Sequence, residues 1–372
     1  MGTYLIIGLG PSGLFVARQL ARHEDSIIIG IGKSDDIGQY SNVLKEYYVA
    51  EDIEDFNAAL EKLIVKYDRV IPLLCSDQYL SMLIKCETTL RDKMIFQNPS
   101  YEMLALFADK IKLLNYCREI NLKIPVSTTL DEVDGLNLPL IVKPAVKSGI
   151  SKIGKVVLVR NKDELILLKN RIHTLGENVS DYVSQPFIEG DNSFEYGYGG
   201  YFIDGKPTVD ICFYQLRQYP QGICCYTLEI ENISLIENIK NLVSPFLDAT
   251  KYSGFLQFDI KQDANTKELF VLDINPRPWG SISMLSLKLL QNGPLWTSNN
   301  IDVKVAWRFP LKEILSFKNR ENVSYRDINK IQKQTSYSMV VDLLDKKDLW
   351  PFLIQPIVVL RKLFKGYLWK SK

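Results

Sequence analysis

An α/β fold is the expectation from three features of the sequence. The first hundred residues alternate apolar runs with helical periodicity, Gly8-x-Gly10-x-x-Gly13 joins the first such pair, and two hairpin patterns follow after residue 190. Alternating strand and helix signals imply a parallel sheet with helices on both faces. "YLIIGLG", "SIIIGIG" and "DRVIPLLCSD" read as strands because each is a short apolar run bounded by turn or polar residues. "SGLFVARQLAR", between the first two, repeats apolar residues at helical spacing. Ser100 can cap a helix running to about Glu119, and "LKIP" ends that unit. "LPLIVKP" is the next strand, followed by a loop rich in Gly and Lys, "AVKSGISKIGK", and the strand "VVLVR". Asn161 and Glu164 have capping-box spacing for the helix after it. "SFEYGYGGYFIDGKPTVDICFYQLRQYP" reads as a hairpin turning at Asp204-Gly205. A helix near 234–249 leads to a second hairpin, "GFLQFDIKQDANTKELFVLDINPR", whose strands should lie antiparallel.

Composition narrows the function. With 372 residues the chain exceeds one ordinary core, so two or three domains are expected. Its 46% hydrophobic and 24% charged residues are those of a folded globular protein. A net charge of +1 gives no reason to expect nucleic-acid binding. Six cysteines occur without a C-x-x-C pair or a nearby histidine cluster, which argues against a zinc site and for reduced thiols. The N-terminus enters a strand directly and shows no signal-peptide pattern, so a cytoplasmic location is expected. "PFLIQPIVVL" is too short to span a bilayer and contains Gln355 and Pro356.

Gly8, Gly10 and Gly13 lie where backbone N–H groups at a helix N-terminus can hold an anion. A dinucleotide site also needs an acid at the end of the second strand, and Lys33 stands there before any acid. That weakens an NAD-dependent oxidoreductase reading and leaves two others: a tight turn with close helix packing, or a substrate-anion site at Gly10 and Ser12. "FVLDINPRPWGS" should be a buried strand, yet it carries Asp273 and Asn275 two residues apart and hence on one face. If Asp259 on the preceding strand pairs near Asp273, three oxygen ligands converge, which suits Mg²⁺ completed by waters and phosphates, with Mn²⁺ as a substitute. A solvent-facing pair of carboxylates is the plainer alternative. Lys143, inside the apolar run "LPLIVKP", tips the balance, because a buried cation needs an anionic partner such as phosphate. With Lys110 in the preceding helix and Lys147, Lys152 and Lys155 in the following loop, the set describes a nucleoside triphosphate with its metal. No G-x-x-x-x-G-K-[ST] is present, so this is not a P-loop protein.

These segments, in this order, resemble the ATP-grasp superfamily over most of the chain. "LFADKIKLLNYCREINLKIPVS" resembles its helix with a phosphate-binding cation, which implies that role for Lys110. "PLIVKPAVKSG" is similar to the strand carrying the nucleotide lysine, here Lys143, and the start of a phosphate loop to which Lys152 belongs. "SQPFIEGDN" resembles the hinge that reads adenine and ribose, implying Gln185, Phe187, Ile188, Glu189 and Asp191. "FLQFDIKQD" with "LFVLDINPR" resembles the metal hairpin, implying Asp259, Asp273 and Asn275 as ligands, with Asp273 where the superfamily usually has Glu. "QLRQYP" and "INPRPWGS" look like the carboxylate–amine ligase group, so Arg217 and Arg277 would face the transferred phosphate and the acyl-phosphate intermediate. The phosphate loop departs from the pattern in having fewer glycines. The resemblance implies a Rossmann-like domain at 1–99, two α+β ATP-grasp subdomains at 100–186 and 187–300, and a C-terminal extension at 301–372.

The implied activity is ATP-dependent joining of a small-molecule carboxylate to an amine, with ADP and phosphate released. The alternatives are a small-molecule kinase of the same fold, a silent ATP-binding protein and, last, the oxidoreductase. Substrate selection is expected in the N-terminal domain, where Asp77 ends a strand and is either an amine receptor or a helix cap. With only His23 and His173 in the chain, a Ser-His-Asp or Cys-His machine is not expected, and Cys224-Cys225 reads as a strand pair. A homodimer is implied by the resemblance alone. From Trp350 to Lys372 there are five basic residues, no acids, and interspersed aromatics. That composition fits either an amphipathic helix on an anionic membrane or, as preferred from sequence, a helix packed on the body with its lysines in water.

Overall fold

The computed structural model describes residues 2–370 apart from 24, 97–98, 134–136, 146–151, 155, 221, 293–294, 299–300, 302 and 333–334. The chain begins with β1 (Gly2–Ile7), α1 (Pro11–Leu20), β2 (Ser26–Gly32), β3 (Glu46–Val49), α2 (Ile53–Tyr67), β4 (Ile71–Leu74), α3 (Asp77–Lys85) and the short α4 (Thr88–Arg91). Its four strands form a parallel sheet in the order β3-β2-β1-β4. The chain therefore reverses its winding between β1 and β4, and a crevice opens beyond their carboxyl ends, where such sheets bind ligands. Gly8 adopts φ +91°, and a Cβ on Gly13 would sit 2.0 Å from the Gly8 carbonyl oxygen. Two of the three glycines are thus required by the turn and by helix packing. Gly10 has open space where a Cβ would be.

The second part comprises α5 (Tyr101–Ala108), α6 (Lys110–Glu119), β5 (Thr128–Thr129), β6 (Leu140–Pro144), β7 (Val157–Val159), α7 (Lys162–Thr174) and β8 (Tyr182–Pro186). Its strands form an antiparallel sheet in the order β5-β8-β6-β7. The single helix expected over 100–119 is two. Asp109 is extended (φ −119°, ψ 110°) and its carboxylate accepts from the N–H groups of Ile111 and Lys112, starting a new helix. The Lys110 N–H donates instead to the Ala145 carbonyl at 2.9 Å, which fixes α6 to the end of β6. The expected caps at Ser100 and Asn161 form, each accepting from the N–H three residues on.

The third part runs through β9 (Glu195–Ile203), β10 (Lys206–Gln218), β11 (Cys224–Glu229), α8 (Ile233–Thr250), β12 (Gly254–Gln262), β13 (Leu269–Asn275), β14 (Leu289–Asn292), β15 (Leu295–Ser298), β16 (Lys304–Arg308), α9 (Pro310–Leu315), α10 (Tyr325–Gln332), β17 (Tyr337–Val341) and α11 (Trp350–Lys370). Seven of its strands form a sheet in the order β13-β12-β9-β10-β11-β16-β17. The β9–β10 turn has Asp204 and Gly205 at φ 50° and 77°, the paired positive values of a tight hairpin turn. Residues after 300 supply the last two strands of this sheet, so the stretch read as an extension shares the sheet of the residues before it.

One apolar core crosses from the N-terminal sheet to the large one. Phe56 of α2, Phe107 of α5, Phe246 of α8 and Tyr198 of β9 belong to the same buried cluster. Phe107 lies edge-on to Phe246 and Tyr252 at 6.0 and 5.9 Å. Burying one such ring contributes about 1.5–3 kcal/mol, so the sheets that flank the cleft are held together by packing. A polar clamp ties the C-terminal segment to α1. Arg18 Nε lies 2.8 Å from Asp348 Oδ2, with side chains 8% and 2% exposed. Arg18 also donates to the Leu343 carbonyl, and Asp348 accepts from Ser41 Oγ and the Asn42 N–H. Asp348→Ala leaves a buried guanidinium without its counter-ion and should cost about 3–5 kcal/mol in denaturant unfolding.

Candidate active site

A cleft of about 1110 Å³ is walled by the parallel sheet, the small antiparallel sheet and the seven-stranded sheet, with Gly10, Ser12 and Asp77 on one side, Lys143, Gln185 and Phe187 on another, and Asp259, Asp273 and Asn275 on the third. Strand register explains the third wall. Asp259 pairs directly with Asp273, and Gln257 with Asn275, so the four side chains share one face. Asp259 Oδ1 accepts from Gln257 Nε2 at 2.6 Å and from Gln215 Nε2 at 2.8 Å. Asn275 Nδ2 donates to Gln257 Oε1 at 2.8 Å and to Asp259 Oδ2 at 3.2 Å. Neutral amides orient the Asp259 carboxylate without cancelling its charge. Asp273 accepts from the Ile274 N–H at 3.0 Å and has Lys110 Nζ at 3.7 Å from Oδ2. This all-oxygen donor set, with two carboxylates facing one another, fits a hard divalent cation.

Cations stand opposite. Lys110 opens α6 and Lys143 is carried by β6, with Lys143 Nζ 3.4 Å from the Leu272 carbonyl. Burial, with the Lys110 charge second, lowers Lys143 to about 8 against the carboxylates of Asp273, Asp259 and Glu195, which act to raise it. Desolvation wins because no carboxylate makes a direct contact with this ammonium among the hydrogen bonds and ion pairs of the described residues. A polyanion in the cleft would supply the missing charge.

Several expected residues stand elsewhere. Arg217 is 4% exposed and does not line the cleft. Its guanidinium donates to Ser316 Oγ and the Val323 carbonyl and stacks 4.2 Å from the Tyr325 ring centre. The cause is a bulge in β10 between Gln215 and Gln218, which breaks the two-residue alternation. Phe213, Gln215 and Gln218 therefore face the cleft, and Arg217 faces away. Arg217→Ala should cost about 3 kcal/mol of stability and leave the KM for ATP unchanged, measured by melting and steady-state assay together. Lys152 Nζ donates to the Leu175 carbonyl at 2.8 Å, drawn to the C-terminal end of α7. Lys147 and Lys155 lie outside the described residues.

The hinge places Gln185, Phe187 and Ile188 in the cleft wall. Gln185 Nε2 donates to Ser127 Oγ at 2.8 Å, and the Phe187 N–H donates to the Pro139 carbonyl. Glu189 is exposed and does not line the cleft. Asp191 caps a short turn by accepting from Ser193 N and Oγ, and it also points away. Glu195 and Glu321 are acids at this side of the cleft, the Glu195 carboxylate taken by Lys261 Nζ at 3.1 Å and by Gln218 Nε2. Glu195 and Lys261 were not anticipated, although their alternation with Gly197 and Asp259 on neighbouring strands was a usable signal. Glycines at 197 and 199 also leave room for Phe213 and Trp279, which stack at 6.0 Å beneath the cleft.

On the N-terminal wall, Ser12 Oγ donates to the Cys75 carbonyl at 3.2 Å and is nearly buried. Asp77 is neither a free receptor nor a cap. Ser76 holds the cap position, and Asp77 grips Arg277 through both carboxylate oxygens, with Arg277 Nε at 2.8 Å from Oδ1. This pair bridges the two walls, 200 residues apart in sequence. The acid near the second strand, Asp36, accepts from the Leu9 and Lys33 N–H groups. It therefore shapes the glycine turn. Cys225 is buried and its thiol is pushed up to about 11, chiefly by burial, and Cys224 is raised for the same reason. Both are strand residues with protonated thiols.

The comparisons with known proteins agree with this fold. The chain is 22% identical to D-aspartate ligase of Enterococcus faecium, over 76% of this chain and 74% of that protein. The solved N5-carboxyaminoimidazole synthetase of Staphylococcus aureus superposes with a TM-score of 0.59 at 18% identity, covering 78% of this chain and 74% of that one. The L-amino acid ligase of Bacillus licheniformis superposes at 0.58 and 16% identity, covering 74% and 67%. This protein has the ATP-grasp fold. No family model matches the chain. Within the ATP-grasp fold the cleft lies between the small and large sheets, closed on the third side by the N-terminal parallel domain. The Staphylococcus aureus synthetase has also been solved with ADP, again with this fold.

Proposed function

We propose that this ATP-grasp protein is a carboxylate–amine ligase that forms an amide through an acyl phosphate and releases ADP and phosphate. The observation that carries the reading is the convergence of Asp259, Asp273 and Asn275 with Lys110, Lys143 and Arg277 on one cleft. Joining a carboxylate to an amine in water is uphill, so the carboxylate needs prior activation. Its oxygen attacks the γ-phosphorus of ATP, the bond to ADP breaks, and the amine then displaces phosphate from the acyl carbon. Asp259, Asp273 and Asn275 would hold Mg²⁺, or Mn²⁺ in its place, which supplies charge neutralisation for the phosphates. Lys110 and Lys143 draw the phosphate chain into the cleft. Gln185, Phe187 and Ile188 line the base side of the nucleotide site.

Arg277 is the residue assigned to the acyl phosphate and to the oxyanion formed when the amine attacks. In the resting protein Asp77 occupies it, so an incoming carboxylate or acyl phosphate competes with Asp77 for the same guanidinium. Gly10 and Ser12, at the crevice beyond β1 and β4, are proposed to receive the substrate anion. The proposed setting is the cytoplasm, where ATP is available, and the proposed assembly is a homodimer.

The test is ADP release with ATP, Mg²⁺ and pooled carboxylates and amines. Release that needs an acid and an amine together supports the ligase. Release with a single acceptor and a stable phosphorylated product would replace it with a kinase, and AMP formation would sink the acyl-phosphate route.

A further inference from the structure

Among the described residues no helix is long and apolar enough to cross a membrane. The last helix, α11, nevertheless has an outward face unlike that of a helix serving only its own protein. Trp350, Leu353, Ile357 and Leu360 are 63%, 58%, 51% and 51% exposed. Their spacing of three, four and three residues puts them in one row. The opposite row is already used. Val358 is buried in a cluster with Leu14, Ile37 and Leu343, and Phe352 and Ile354 pack against it. A helix docked on its body ordinarily turns polar residues outward, so an outward row that is apolar lacks its partner.

Charge decides what that partner is. Residues 350–372 contain Arg361, Lys362, Lys365, Lys370 and Lys372 and no acid. Lys346 and Lys347, just before the helix, are exposed beside the exposed Leu344 and Leu349. A second copy of the same face would bring like charges together. We propose that α11 docks this protein on an anionic lipid surface, with Trp350, Leu353, Ile357 and Leu360 entering the headgroup boundary and Lys346, Lys347 and Arg361 beside them meeting lipid phosphates. The helix is about 31 Å long and would lie in the plane of the surface. The clamp between Arg18 and Asp348 at its base makes the attachment rigid, so the catalytic body would be held at a set orientation. The inference does not depend on the ligase reading.

Flotation of the full chain with vesicles tests it, using phosphatidylcholine alone and phosphatidylcholine with about one-third phosphatidylglycerol. Co-flotation only with the anionic vesicles, reversed by raising salt, is the expected result. Leu353→Glu combined with Ile357→Glu should abolish it, and because both positions are exposed the variant should melt as the parent does. Neutralising Lys346, Lys347 and Arg361 to Gln should weaken binding on the order of 100-fold. Failure to float, equal flotation with neutral vesicles, or an unaffected double variant would each overturn the proposal. So would a dimer by light scattering that the double variant dissociates, which would give the face to a second copy.

Discussion

Lys143→Met should raise the Kd for ATP roughly 10- to 100-fold while making the nucleotide-free protein more stable. The first effect is the loss of one charge-assisted bond to phosphate, about 1.5–3 kcal/mol. The second follows from burial. Lys143 is lowered from 10.5 to about 8, chiefly by desolvation and then by Lys110, so folding disfavours its charged form. Removing that charge while keeping an apolar stem of similar length should gain on the order of 1–3 kcal/mol in denaturant unfolding at neutral pH. The pH dependence has a definite sign. Below about pH 8 the lysine is charged in folded and unfolded chains alike and contributes no slope. Between about 8 and 10.5 the unfolded chain holds more protons, so this group makes stability rise with pH. ATP affinity runs the other way, weakening above about pH 8 as the free protein sheds the proton that phosphate requires. The methionine variant should lose both slopes. A variant that binds ATP like the parent, or that unfolds more easily, would remove Lys143 from the nucleotide site.

Asp273→Ala should lower the rate of ADP release on the order of 10²–10³-fold, the scale expected when one group stabilising transferred charge is deleted. The change in folding stability should be small. Asp273 is partly exposed, its ion pair with Lys110 is 3.7 Å long, and such pairs contribute about 0–1 kcal/mol. Separation of the two effects is the diagnostic outcome, because a merely structural carboxylate would lose both or neither. Raising Mg²⁺ or substituting Mn²⁺ should restore part of the rate if the defect lies in metal occupancy. Titrating the metal against turnover in parent and variant gives that measurement. An Asp273→Ala variant with parental turnover would sink the assignment of the hairpin.

The register of the second hairpin was legible because its signal is local. Asp273 and Asn275 sit two apart in an apolar strand, and a short connection to the preceding strand fixes Asp259 opposite, so register follows from the pleat. The place of Lys143 in the cleft wall was legible for a related reason, since a charge inside an apolar run has few explanations. Gly8 and Gly13 could be read only as alternatives, and the contact between Gly13 and the Gly8 carbonyl assigns both to packing.

Where alternation fails, sequence reading fails with it. The bulge in β10 sends Arg217 to the far side and Gln218 to the cleft, and nothing in "QLRQYP" marks the extra residue. Asp109 breaks a helix whose periodicity continues on either side, because a distant carbonyl at Ala145 takes the Lys110 N–H.

By itself, then, the sequence determined the alternation of strands and helices in the first hundred residues, the turn at Asp204-Gly205, and the oxygen-rich face of the second hairpin. All three depend on interactions between residues close along the chain. Only the tertiary structure decided that Asp77 grips Arg277, that Glu195 and not Asp191 faces the cleft, and that the segment after 300 completes the large sheet. Those outcomes rest on contacts across as many as 200 residues, set by how the N-terminal and large sheets pack around a common core, and no local pattern encodes that distance.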